Sequence, residues 1–399
     1  MSRGELRVDS IIVQFIYLAC VLIFGGLILF LRRKAEGNKS FYKFILILGG
    51  MLLAALTFRG AKLFQFDYFF LGNLSVFLLV VLVFELSTRV NGENVSFTKK
   101  SIGTIFALLF VNLIIFTSAA LYLLKIPLLH ALVYAIIISA IEYFMVAELR
   151  NEGDSANPFI LLIAFLIFGL YDISSTVFLQ TLGFFQYLLI GSGMGIAFGI
   201  LVFKSLKYKK MTWFHEVGLL AAALMVFLFT EYVNGSGLFA VMVMGIFFGN
   251  SHVRRKIQLT SFSPFIFKSL EMLIFLFIGF TVSLVFTWHI FWVSLTLFAL
   301  YLILRFMVIV IINPSYSLKN HVYLTIAPKG MVFAVMILVL SIYLANSATL
   351  VMSMTLVLLY SLILSTIFEH LEHKKIKELD KLFAVLERIR FGRKRNLRR

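Results

Sequence analysis

Thirteen apolar stretches run through the chain, at approximately 10–31, 41–58, 68–88, 102–124, 127–148, 158–181, 184–206, 213–232, 236–250, 263–286, 288–312, 319–345 and 347–370. Most approach the roughly 20 residues that a helix needs to cross a hydrocarbon core. In lipid, every backbone donor and acceptor must be satisfied internally, so uninterrupted apolar stretches of this length predict helices. The longest hydrophilic connections lie near 89–101 and 149–157, too short for a soluble domain. Whatever the chain does must therefore happen inside the helical bundle.

The charges in the connections alternate. The odd-numbered connections hold Arg32, Arg33, Lys34 and Lys39, then Arg89, Lys99 and Lys100, then Arg150, then Lys207, Lys209 and Lys210, then Arg254, Arg255 and Lys256, and finally Lys319. The even-numbered ones are short and nearly uncharged apart from Arg59, Lys62 and Lys125. Lys and Arg accumulate on the cytoplasmic side, so the pattern places the N-terminus outside and the C-terminus in the cytoplasm of a multi-pass plasma-membrane protein. Arg32-Arg33-Lys34 follows the first apolar run rather than leading it, so that run reads as a retained anchor and not a cleaved signal. Residues 1–372 then form one transmembrane domain and 373–399 a basic tail.

Composition agrees. Hydrophobic residues make up 61% of the chain and charged residues 14%, against about a quarter charged in soluble domains. The net charge of +17 follows from the positive-inside bias and needs no nucleic-acid partner. The single cysteine, Cys20, excludes a disulfide framework and a cysteine-based metal site. In the tail, Ile376, Leu379, Leu382, Phe383, Leu386 and Ile389 recur at helical spacing among eleven basic and three acidic residues from Lys374 to Arg399. That pattern predicts an amphipathic helix held by anionic lipid headgroups, the alternative being a solvated tail.

Ionisable side chains within the apolar stretches are the candidate chemistry, because a charge inside a bilayer is kept for function or for pairing. Asp172 lies mid-stretch with no basic neighbour in sequence, and Glu142 lies deep in the fifth stretch. Glu85 is near the end of the third, where it could instead pair with Arg89 one helical turn away. Lys329 lies in Ala327-Pro328-Lys329-Gly330, which predicts a broken helix whose freed backbone groups face a cavity. Arg305 and Glu271 read as halves of structural ion pairs. Gly191, Gly195 and Gly199 form a small-residue stripe for helix packing, and His130 has no second ligand at metal spacing. No nucleotide-binding loop, zinc-protease motif or nucleophile elbow stands in a supporting context, so no cofactor and no enzymatic reaction is expected.

With stretch seven (184–206) set aside as a linker, 10–181 and 213–370 become two six-helix repeats of opposite orientation. Stretches five and twelve then occupy corresponding places, both expected to be broken and to cross near the midplane. That is the layout of many secondary transporters.

Several segments resemble the monovalent cation/proton antiporter superfamily, in particular its NhaP-like sodium/proton exchanger branch. Phe84-Glu85 is similar to that branch's third-helix ending, and Ser139-Ala140-Ile141-Glu142-Tyr143 to its Ser-Ala-Thr-Asp-Pro helix. Phe168 to Val177 resembles the segment of its essential acid, Asn234 to Val241 its Gly-Ser-Gly-x-Leu-Ala-Val stretch, and Ala327 to Gly330 its Ala-Pro-Arg-Gly motif. The differences are local. Ile141 stands for the threonine, Tyr171 precedes Asp172, Ile167-Phe168 replaces a Glu-Ser pair, and Lys329 replaces an arginine. The resemblance implies an all-α protein of about 13 transmembrane helices, a homodimer with a mobile core, and exchange of Na⁺ (or K⁺ or Li⁺) for H⁺. It implies Asp172 as the essential cation- and proton-binding acid, Glu142 as an accessory acid, Glu85 as a second, the Ile141 backbone carbonyl as a ligand and Lys329 as charge compensation. The alternative reading is a cation or proton channel, or an ion sensor, on the same fold.

Overall fold

The computed structural model describes residues 17–20, 23, 25–26, 39–58, 61–62, 68–88, 99–148, 181–208, 214–250, 269–280, 287–312, 317–343 and 348–370. The helices are α1 (Lys39–Ala55), α2 (Tyr68–Thr88), α3 (Lys99–Leu124), α4 (Leu128–Glu148), α5 (Thr181–Tyr208) and α6 (Phe214–Tyr232). They continue with α7 (Gly237–Asn250), α8 (Ser269–Phe280), α9 (Trp288–Ile312), α10 (Leu318–Ile326), α11 (Met331–Tyr343) and α12 (Ala348–His370). Residues 17–20 of the first apolar stretch are helical as well. A two-residue antiparallel pair, β1 (Thr57–Phe58) with β2 (Ala61–Lys62), lies between α1 and α2. The stretch at 158–181, with Asp172, lies outside the described residues except for Thr181.

These elements form where the apolar pattern predicts them, and the turns between them carry the chemistry of helix ends. Lys125 (φ 52°) follows the last residue of α3 and Asn234 (φ 55°) follows α6 by two residues. Both take the left-handed conformation that closes a helix. At the second turn, Gly235 N–H donates to Thr230 O at 2.8 Å and Glu231 accepts from Gly237 N–H at 2.8 Å. The carboxylate thus caps the N-terminus of α7, and the Asn-Gly-Ser-Gly run is a helix–turn–helix corner. α7 has 14 residues, about 21 Å of helix and too short to cross the bilayer upright.

α7 and α11 carry no charged residue and no amphipathic stripe, because both are enclosed by other helices. α2, α5 and α6 pack around α7, while α2 also lies against α11. α3 and α4 run antiparallel across their three-residue link, with α9 against α3 and α10 against α9. α12 is threaded through this second group. Its Ser353 lies 3.4 Å from the Tyr134 hydroxyl of α4, and its Tyr360 3.2 Å from Ser294 of α9. At its far end, Ser40 of α1 donates to Glu369 at 2.7 Å. Tyr122, Tyr232 and Trp288 stand largely exposed at helix ends, where amphipathic rings settle at a membrane interface.

The glycine stripe of α5 lies against α7, where side chains added to Gly191 and Gly195 would meet the Ser236 and Ala240 carbonyl oxygens. A closer approach joins α1 to α8. A methyl group on Gly50 would collide with the Leu276 carbonyl, and one on Gly279 with that of Ile47. Beside this crossing, Lys43 and Glu271 form an ion pair of 2.8 Å, with the ammonium 5.4 Å from the Phe275 ring centre. Glu271 thus finds its cation on α1.

Two outcomes follow from this crossing. Gly279→Leu drives the two backbones apart and lowers the thermal midpoint of the detergent-purified protein, at a cost of at least about 1–3 kcal/mol. An unchanged midpoint contradicts the contact. Lys43→Met alone leaves Glu271 uncompensated in a partly dry site and destabilises by about 1–3 kcal/mol, whereas Lys43→Met with Glu271→Met restores most of the loss. A double variant no more stable than the single one contradicts the pairing.

Candidate functional site

Stretch twelve is interrupted. Residues 327–330 are not helical and separate α10 from α11. Pro328 has no N–H to continue α10, and its ring disfavours helical geometry at Ala327, whose ψ is 133°. The halves hold 9 and 13 residues, about 13 and 20 Å, so the break falls deep in the apolar stretch.

The break exposes backbone groups in a dry interior, and neighbouring helices supply the partners. Arg305 of α9, 2% exposed, donates to the Ala327 carbonyl at 2.9 Å and to the Tyr301 hydroxyl. Lys329 N–H donates to Ser361 Oγ of α12 at 3.3 Å. The Lys329 side chain, 1% exposed, reaches α4, where its ammonium lies 3.4 Å from the Ile138 carbonyl oxygen. The same ammonium stands 3.9 Å from the Tyr301 ring centre and 4.5 Å from that of Phe333. Two cations therefore share one tyrosine, Arg305 through its hydroxyl and Lys329 through its face. Aromatic faces attract cations, more strongly when water is excluded. The C-terminal carbonyls of α10 favour both cations, while the N-terminus of α11 disfavours positive charge at Lys329. The Ile138 carbonyl and the two rings offset that.

Stretch five differs from the expectation. It was expected to be broken like stretch twelve, yet α4 is one continuous helix from Leu128 to Glu148. Its sequence contains neither proline nor glycine, so nothing forces the backbone out of helical geometry. Ile141 and Glu142 lie within α4, and their side chains are outside the described set. Asp172 is outside it altogether. Glu85 is half-buried near the end of α2, next to Phe84, whose carbonyl accepts from Ser87. Ser87 in turn lies under Gly245 of α7. The structure thus brings Lys329 together with Arg305 and with the Ile138 end of the Ser139–Glu142 motif. Among the described residues, no group of three His, Cys, Asp or Glu side chains could hold a metal ion.

Sequence reasoning read Arg305 as half of an ion pair, to which the structure adds a helix-end carbonyl and a phenol as partners. It missed Tyr301 altogether. The signal was present, because Tyr301 and Arg305 are four residues apart and share a helix face. Nothing in the sequence marked Ser361.

Tyr301→Phe keeps the ring beneath Lys329 and removes the acceptor of Arg305, which should cost about 1–3 kcal/mol. Tyr301→Leu also removes the cation–ring attraction and should melt lower still. Equal thermal midpoints for the two variants would mean that the ring carries no weight.

Comparison with known proteins bears on the same elements. The profile of the transmembrane sodium/hydrogen exchanger family matches residues 42–370. The structure of the sodium proton antiporter MjNhaP1 from Methanocaldococcus jannaschii at pH 8 superposes with a TM-score of 0.63 at 17% identity, covering 90% of this chain and 99% of that one. A three-dimensional electron-microscopy map of MjNhaP1 gives a TM-score of 0.64 at 14% identity, covering 94% and 97%. No individual curated protein sequence matches significantly. At these identities the structures establish a shared all-helical fold, and the profile, which spans most of the chain, establishes kinship. The channel reading is not favoured. This multi-pass membrane protein belongs to the sodium/hydrogen exchanger family.

Proposed function

We propose that the protein is a secondary transporter that exchanges a monovalent cation, Na⁺ before K⁺ or Li⁺, for H⁺ across the plasma membrane by alternating access. The observation that carries the reading is the interrupted α10–α11 helix, whose break holds a buried lysine against α4. A buried charge of that kind stays inside a membrane protein where ions are handled.

In this reading Asp172 takes either a proton or the cation, and never both. Glu142 and Glu85 complete an oxygen-rich environment suited to a hard ion, and the Ile141 carbonyl, held within the continuous α4, adds only the lone pair that its helical hydrogen bond leaves over. Lys329 compensates the half-helix ends when no ion is bound. A lysine can release its proton when buried, which an arginine does not, so Lys329 is a second possible proton carrier. Two inverted repeats (10–181 and 213–370, with 184–206 between) build a dimerisation domain and a mobile six-helix core, and the core moves in an elevator-like cycle within a homodimer. The N-terminus lies outside. The tail from 373 to 399 rests on anionic headgroups, its eleven basic residues supplying the attraction. No cofactor takes part, and the role in the cell is control of internal pH and cation content.

Purified protein in liposomes loaded with a pH-sensitive dye tests this. Added Na⁺, Li⁺ or K⁺ should move protons against an imposed gradient, and Asp172→Asn should reduce the cation-dependent flux at least about tenfold. Wild-type protein that is folded but gives no cation-dependent flux contradicts the proposal. Clamping the membrane potential separates the carriers. Exchange that ignores voltage leaves Asp172 as the only proton carrier, and voltage-dependent exchange adds Lys329.

A further inference from the structure

Nearly every buried serine or threonine hydroxyl among the described residues has a hydrogen-bond partner. Most bond back to a carbonyl one turn earlier in their own helix, as Thr230 does to Val226 at 2.7 Å and Thr355 to Val351 at 2.7 Å. This is the ordinary way to hide a hydroxyl in an apolar helix. Among the described serines and threonines, two buried hydroxyls lack a partner, Thr117 Oγ1 on α3 and Ser139 Oγ on α4. A buried hydroxyl without a partner forfeits about 1–3 kcal/mol, which calls for an explanation.

Ser139 differs from Thr117 in its surroundings. It is 1% exposed and directly follows Ile138, whose carbonyl oxygen lies 3.4 Å from the Lys329 ammonium. Position 142, occupied by Glu142, lies one helical turn further along the same continuous helix. Counted from the α3–α4 link, Ser139 lies about 6 Å deeper than Thr117. Chemically, a primary ammonium on a carbonyl oxygen is a tethered monovalent cation. An idle hydroxyl on the next residue of the chain is then a second hard oxygen one position along α4 from a carbonyl that already accepts a positive charge, and hard cations select oxygen ligands.

We infer that Ser139 is a ligand for the transported alkali cation, acting with the Ile138 carbonyl when Lys329 withdraws from it. The hydroxyl is kept free of its own helix so that it is available to the ion. Side-chain oxygen then enters from position 139, where Ile141 offers none. The inference rests on the exchanger reading and names one ligand within it.

The test compares wild type, Ser139→Ala, Ser139→Thr and Thr117→Ala in liposomes, reading proton flux against Na⁺, Li⁺ and K⁺ concentration. Cation-dependent thermal stabilisation of each variant in detergent gives a binding readout independent of turnover. Ser139→Ala should raise the half-saturating cation concentration about tenfold, keep the maximal rate within about twofold, and lose most of the cation-dependent stabilisation. Ser139→Thr should retain wild-type behaviour, and Thr117→Ala should match wild type. Wild-type exchange with an unchanged half-saturating concentration in Ser139→Ala overturns the inference and leaves the exchanger reading intact. Equal shifts in Ser139→Ala and Thr117→Ala also overturn it, since the effect would then be one of packing. Absence of cation-dependent flux in wild type removes the exchanger reading and the inference with it.

Discussion

A polypeptide inside a membrane can leave helical geometry only where something other than water satisfies the freed backbone. The interior of this molecule is arranged around one such place, residues 327–330. Arg305 covers the carbonyl of Ala327, the residue that caps α10, Ser361 accepts from the Lys329 amide, and Tyr301 sits between the two cations that result. α4, α9 and α12 each supply a partner, so the break fixes where those helices stand relative to one another. The packing elsewhere serves the same end. α7 is short and uncharged because it fills the space enclosed by α2, α5 and α6. Glycines let α1 reach α8 and α5 reach α7 at backbone distance.

This arrangement suits a protein that must hold charge in hydrocarbon without fixing it permanently. The Lys329 ammonium is bound by a carbonyl and two ring faces, contacts that are individually modest. Aromatic faces and a carbonyl attract a cation without demanding a particular counter-ion. The Ile138 carbonyl oxygen that receives the ammonium is a hard donor that suits an alkali ion as well. Arg305 does the opposite work. Its contacts with a helix end and a phenol keep the frame in place.

Much of this was legible in the sequence because a bilayer imposes strict rules. Stretch lengths located the helices, and Pro328 with Gly330 located the break. Expecting the same of stretch five failed for a physical reason. Symmetry between repeats constrains where helices lie, but a helix without proline or glycine has no cause to open, and α4 stays continuous. The partners of the break were less legible. For Arg305 the sequence displays only its charge, while a carbonyl at a helix end is invisible until the chain is folded. Ser139 could be singled out only by the bonds its hydroxyl does not make, which no sequence pattern reports.

The central claim is that this bundle couples a cation to a proton. Uptake of radiolabelled sodium into liposomes carrying the protein, under an outward-directed proton gradient, tests it most directly. The account predicts accumulation above equilibrium that collapses when a protonophore, with the membrane potential clamped, dissipates the gradient. Sodium that merely equilibrates at a rate indifferent to the gradient would contradict it.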